Sequence, residues 1–165
     1  MNHIPNITRP LVQQLIREQF PEFIGLPIHP VKVQGHDNRS FRLGNDMLIR
    51  MPTKEAYALS VDKEQNILPL ISPHLTVAIP APLKLGRPSS TYPFNFSIYQ
   101  WIDGESANHI QIAPKNKESV ALALATFLKE LQGIDTTEGP LPGQHNWWRG
   151  DHVSVYDQQT RRCLL

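Results

Sequence analysis

Between Val31 and Pro52 the chain reads VKVQGHDNRSFRLGNDMLIRMP, and these residues bring together groups that can hold phosphate. Gly35-His36-Asp37-Asn38 permits a tight backbone turn whose N–H groups can approach phosphate oxygens, with Asn38 and Ser40 as further donors. Arg50 follows on a strand pattern, and Leu48 shares its face because strand side chains two apart point the same way. A cation beside an apolar neighbour suits a nucleotide, whose phosphates need charge and whose base needs a flat apolar wall. Fourteen residues beyond Arg50, in a helical stretch, Glu64 offers a carboxylate that can take the planar guanidinium in a bidentate pair. The same residues also suit plainer roles, an ordinary hairpin turn with one glycine and a structural ion pair between strand and helix.

These groups need a sheet and a helix to position them. Val31 and Val33 alternate, Phe41 and Leu43 alternate, and Gly44-Asn45-Asp46 supplies a tight turn, which predicts strands over 30–35, 38–43 and 46–51 in an antiparallel meander. From Thr53 a helix carries Tyr57, Val61, Leu68 and Ile71 near one face, with Glu64 among them and Pro69 bending or ending it. Leu83 to Leu85 and the aromatic, β-branched run Phe94 to Trp101 predict two more strands. Ahead of the meander, Thr8 caps a helix with Pro10 in its first turn and Leu11, Leu15, Ile16 and Phe20 on one side. Past the break at Asp103-Gly104-Glu105, Val120, Leu124, Phe127, Leu128 and Leu131 keep a helical period from Pro114 to Gly133. The text after Thr136 has little period, with a short segment at Val153 to Tyr156. The boundary between two lobes falls at 102/103.

Composition narrows the partners. The 165 residues allow one ordinary domain or two small lobes, and 40% hydrophobic with 19% charged residues describes a globular chain. Mean hydropathy is −0.33, and no apolar run approaches the roughly twenty residues a membrane span needs. A formal net charge of +1 gives no basic field for nucleic acid. The N-terminus MNHIPNITRP lacks a basic start and an apolar core, so a cytoplasmic location is expected and the glycosylation patterns at Asn6, Asn38 and Asn95 read as chance. The lone Cys163 allows no internal disulfide, in keeping with a reducing compartment.

Other groups carry less. His36-Asp37 has no second histidine pair or acid at ligand spacing, and the seven histidines show no i, i+4 pair, so no metal site is expected from them. Trp147-Trp148-Arg149 forms either an aromatic platform or a pin holding a loop on a helix. Arg149-Gly150-Asp151 is too short a match to an adhesion motif to carry meaning.

Taken in order, GHDNRSFRL, NDMLIRMP, the Glu64 helix, SIYQWIDGE and ALATFLKELQGID resemble the aminoglycoside phosphotransferase family, the small-molecule branch of the protein-kinase-like fold. The resemblance runs from about Thr8 to the end. It implies an α+β fold, with a five-stranded antiparallel N-terminal lobe and inserted helix over 1–102 and an incomplete helical lobe over 103–165. It implies that Gly35 to Ser40 form the nucleotide loop, that Arg50 contacts phosphates with Glu64 as its helix partner, and that Gln100, Trp101 and Ile102 form a hinge whose backbone binds the base edge. ATP or GTP with Mg²⁺ is the implied cofactor, a small hydroxylated molecule such as an aminoglycoside or macrolide the implied acceptor, and antibiotic resistance the implied role. Arg50 stands where kinases have lysine, and Gln132 where the family pattern has histidine. The family's His-Gly-Asp catalytic loop with its asparagine, and the later metal-binding aspartate, have no counterpart. Gly150-Asp151 lacks a preceding histidine, and Tyr156 stands in the asparagine's place. The catalytic aspartate is expected beyond Leu165, so the chain alone is expected to be inactive, and an uncovered face on the 115–132 helix is expected to favour self-association. The alternative reading is a non-catalytic nucleotide-binding or interaction module.

Overall fold

The computed structural model describes residues 6–107, 109–137 and 139–164. It divides between Asp135 and Thr136 into two compact units.

The first unit is built on a five-stranded antiparallel sheet in the order β1-β2-β3-β5-β4, from β1 (Ile28–Pro30), β2 (Asn38–Leu43), β3 (Met47–Pro52), β4 (Pro82–Gly86) and β5 (Phe96–Gln100). Alternation gives the sheet two different faces. Phe41, Leu43, Ile49, Met51, Phe96 and Ile98 point to one side, where they form a core with Val12, Leu15, Ile16 and Phe20 of helix α1 (Arg9–Gln19) and its end. Each such side chain, taken fully out of water, contributes about 1.5–3 kcal/mol before the entropy of ordering it. Ser40, Arg42, Leu48, Arg50, Ser97 and Tyr99 have the opposite parity, on the side covered in part by α2 (Glu55–Ile71). The α2 helix absorbs Pro69 within its last turn. Its Val61 is buried, whereas Leu59 and Leu70 stay exposed.

Two close approaches fix residue choice. Gly44 turns β2 into β3 at φ +59°, a left-handed conformation that favours glycine. Gly86 lies against the Phe96 ring, where a Cβ would meet ring carbons at 2.2 Å. Tyr92 is fully buried and donates its phenol hydrogen to the Pro52 carbonyl at 2.7 Å, which fixes the end of β3.

The first strand departs from expectation. It spans Ile28–Pro30 rather than 30–35, although Val31 N–H still reaches Ser40 O at 3.0 Å. Beyond that, the Gln34 side chain replaces the backbone ladder. Its amide donates to Val31 O and Ser40 O, and its carbonyl accepts from Ser40 N–H, so the backbone of 32–37 is released as a loop. Thr8 occupies the α1 N-cap position without a side-chain capping bond.

Helix α3 (Pro114–Gln132) follows, and Glu130 near its end accepts from both Thr76 N–H at 2.9 Å and Thr76 Oγ1 at 3.1 Å. Its Leu122 and Leu124 are more than half exposed. The second unit contains a 3-10 turn at Gln144–Asn146, another at Val153–Tyr156, and α4 (Asp157–Cys163), a helix the sequence reading did not place. Trp147 and Trp148 both take left-handed φ angles, +58° and +54°, and Tyr156 Oη donates to Trp147 O at 2.6 Å.

Candidate functional site

Arg50 lies in the middle of β3, paired with Ser40 on β2 and Ser97 on β5. Its Nη1 is 3.2 Å from Glu64 Oε2, a single contact rather than the bidentate fork expected. A second donor explains this geometry, because Tyr99 Oη reaches the same Oε2 at 2.5 Å. The Arg50 guanidinium also stands 5.6 Å from the centre of the Tyr99 ring. Burial, and then the Glu64 hydrogen bond, hold the Tyr99 phenol well above its usual pKa, so it remains a donor across the physiological range. One turn of contacts further, Gln65 Nε2 donates to Ser97 Oγ at 2.9 Å and to Lys84 O at 3.1 Å. Consecutive residues of α2 are thus tied to β5 and β4. Leu48 is half-buried on the same face as Arg50, as parity required.

The loop 35–38 is held at its base by Thr53, which is 5% exposed. Thr53 N–H donates to Asp37 O at 2.9 Å, and its hydroxyl lies 3.0 Å from Asp37 O and 3.3 Å from His36 O. Arg39 Nη1 donates to Gly35 O at 2.9 Å. Gly35 itself has room for a Cβ, with Asn38 O the nearest atom at 3.8 Å, so no steric demand selects glycine there. The Ser40 N–H is taken by Gln34, while the Ser40 hydroxyl and the half-buried Asn38 side chain have no hydrogen-bond partner among the described residues.

At the other end of β5, Gln100 N–H donates to Ala81 O at 2.8 Å and Trp101 N–H to Asp46 O at 2.7 Å. Of the hinge donors at Gln100, Trp101 and Ile102, only the Ile102 N–H lacks a partner among the described residues. The Trp101 ring is clamped from both sides of its chemistry. Arg42 stacks over it at 3.9 Å, and its Nε1–H donates to Asp103 at 2.8 Å. Arg42 also donates to Asn45 O, so the stacked guanidinium is fixed to the β2–β3 turn.

The sequence model of the phosphotransferase enzyme family matches residues 30–162. The chain belongs to that family. Its fold is similar to that of wild-type aminoglycoside 2'-phosphotransferase-IIIa in a GDP complex, with TM-score 0.72 at 21% identity over 94% of this chain and 58% of that one. A mutant of the same enzyme, also with GDP, gives TM-score 0.72 at 24% identity over 82% of this chain and 46% of that one. Macrolide 2'-phosphotransferase type I gives TM-score 0.59 at 17% identity over 94% and 55% of the two chains. The chain therefore spans about half the length of these structures and shares the kinase-like α+β fold of the aminoglycoside phosphotransferases. No curated protein matches it in sequence.

Within this phosphotransferase-family chain, no group of three His, Cys, Asp or Glu side chains gathers among the described residues. No step below runs through the Mg²⁺ that the resemblance implies. Three contributors went unnoticed in the sequence: Gln34, Thr53 and Tyr99. Spacing gives no signal for Tyr99, whose partner Glu64 is brought close only by the fold, whereas Gln34 bonds to Val31 and Ser40 within its own hairpin. Thr53 was legible as a polar residue at a strand-to-helix junction.

Proposed function

We propose that this chain binds a nucleoside triphosphate and is the nucleotide-holding part of a phosphotransferase that moves the γ-phosphate of ATP or GTP to a hydroxyl of a small molecule, such as an aminoglycoside or macrolide. The observation that carries this reading is the Arg50 guanidinium, held by Glu64 on one face of the sheet between the Thr53-anchored loop and the hinge. In it, residues 1–102 form the nucleotide lobe and 103–165 the start of the helical lobe. The loop from Gly35 through Asn38 to Ser40 covers the phosphates, Arg50 neutralises their charge, Leu48 forms part of the wall under the base, and Gln100, Trp101 and Ile102 line its edge with the Ile102 N–H as donor. Such a site works by positioning and charge neutralisation, which is most of what phosphoryl transfer asks of a protein. The GDP complexes of the structures with this fold support the nucleotide; the acceptor and a cytoplasmic location are part of the proposal.

None of the residues present matches the base that would orient the acceptor hydroxyl, so these 165 residues are expected to bind without turnover. Among the described residues no helix is long and apolar enough to cross a membrane. Hydrogen exchange with a non-hydrolysable triphosphate tests the site. Protection is expected at residues 35–40, 48–50 and 100–102, and protection confined to 136–164 would place the nucleotide elsewhere.

A second reading, an interaction module, is favoured by the exposed Val120, Leu122, Leu124, Leu128 and Leu131 of α3. A second copy of the chain would cover them. Sedimentation equilibrium showing a dimer that Leu124→Glu dissociates supports it, and a monomer at high concentration opposes it.

A further inference from the structure

We propose that Tyr99 is a positioning residue of the nucleotide site, fixing Glu64 through its phenol so that Glu64 can fix Arg50 toward the phosphates; this rests on the role given to Arg50 above.

The geometry sets out a division of labour. The Arg50 and Glu64 side chains are 33% and 26% exposed and share one contact of 3.2 Å. A one-point pair open to water does little to immobilise two long side chains. Tyr99 is 1% exposed and sits on a central strand between β3 and β4. Its ring has two torsions to fix and is closely packed, so its hydroxyl is the stationary partner in the cluster. The 2.5 Å bond to Glu64 Oε2 is a hydroxyl-to-carboxylate bond of the short, strong kind. Both donors, Arg50 and Tyr99, meet on Glu64 Oε2, while Glu64 Oε1 has no protein donor among the described residues.

The neighbouring residue repeats the device. Gln65 is bonded to Ser97, two residues before Tyr99 on the same face of β5. Residues 64 and 65 of α2 are therefore registered against residues 99 and 97 of β5, and a shift of the helix along the sheet would break both bonds. Arg50 is set by the strand on one side and by this registered helix on the other. Without the Tyr99 hydroxyl, Glu64 keeps only the solvent-open contact to Arg50, and the guanidinium loses its fixed direction.

The test is calorimetric titration of the full chain with ATP and GTP, with adenosine and guanosine measured by competition. Tyr99→Phe removes one oxygen and keeps the ring. Triphosphate affinity is expected to fall about three- to tenfold, the loss of one hydrogen bond, while nucleoside affinity stays unchanged. In a Glu64→Gln background Tyr99→Phe should add little, because the two residues act in series. An unchanged triphosphate affinity in Tyr99→Phe, with Arg50→Ala still weakening it, overturns the Tyr99 assignment and leaves the nucleotide reading standing. An equal fall for triphosphate and nucleoside also overturns it, since the hydroxyl would then act on the base side or on the whole fold. If Arg50→Ala changes nothing, the nucleotide reading fails and this inference falls with it.

Discussion

Replacing Thr53 by valine tests how the phosphate-side loop is held. The side chain keeps its shape and loses its hydroxyl, whose proton is shared between Asp37 O at 3.0 Å and His36 O at 3.3 Å. One such neutral bond contributes about 0.5–1.5 kcal/mol net. Asp37 O is not orphaned, because Thr53 N–H still reaches it at 2.9 Å, so the additional penalty for a stranded acceptor is small. The longer contact to His36 adds little. The expected loss is therefore about 1 kcal/mol, which for a chain of this size lowers the melting midpoint by roughly 2–4 °C. Urea and thermal unfolding followed by circular dichroism measure it, with Thr53→Ser, which keeps the hydroxyl, as the control. Amide exchange in 35–38 should also be faster in the valine variant. A valine variant as stable as the wild type beside a weakened serine variant would refute the hydrogen-bond account and point to the methyl group's packing, since valine keeps that methyl and serine loses it. A loss beyond about 3 kcal/mol would refute it too, since values that large come from cavities or stranded polar groups.

Gly86→Ala should destabilise the fold by about 1–3 kcal/mol, measured by urea unfolding, because the added Cβ falls 2.2 Å from a Phe96 ring already confined by Phe20 and Tyr92. Phe96→Leu in the same chain should recover part of that loss. Tyr92 and Tyr99 have folded pKa values raised by burial above the unfolded value, so their contribution to stability is complete below pH about 10 and is lost as pH rises through the folded values. Unfolding free energy should therefore decline above that pH, and Tyr92→Phe should reduce the slope.

The sheet and the long helices were legible because their signals are local. Phe41 and Leu43 alternate, Pro10 and Pro114 mark helix starts, and α3 keeps its period for five turns. The first strand was displaced because a side chain, that of Gln34, took over the bonding expected of the backbone. Helix α4, DQQTRRC, was missed because it has no apolar stripe, and it is supported instead by the Arg161–Asp157 pair at 2.7 Å. For the site, the closeness of Arg50 and Glu64 was legible as a strand cation followed by a helix carboxylate. Their one-point geometry was not. It depends on Tyr99, thirty-five residues beyond Glu64 and brought to it by the pairing of β5 beside β3. The hinge expectation was narrowed for a similar reason, since the sheet edge had already claimed the Gln100 and Trp101 N–H groups.

Whether Arg50 holds nucleotide phosphates is decided by calorimetric titration of the wild-type chain and Arg50→Ala with GTP and ATP. A guanidinium bonded to phosphate contributes about 1.5–3 kcal/mol, so the wild type should bind saturably and the variant should lose about 10- to 100-fold in affinity. Guanosine and adenosine should bind both proteins alike. Triphosphate binding that is equal in the two proteins, or absent from the wild type, would contradict the phosphate role of Arg50.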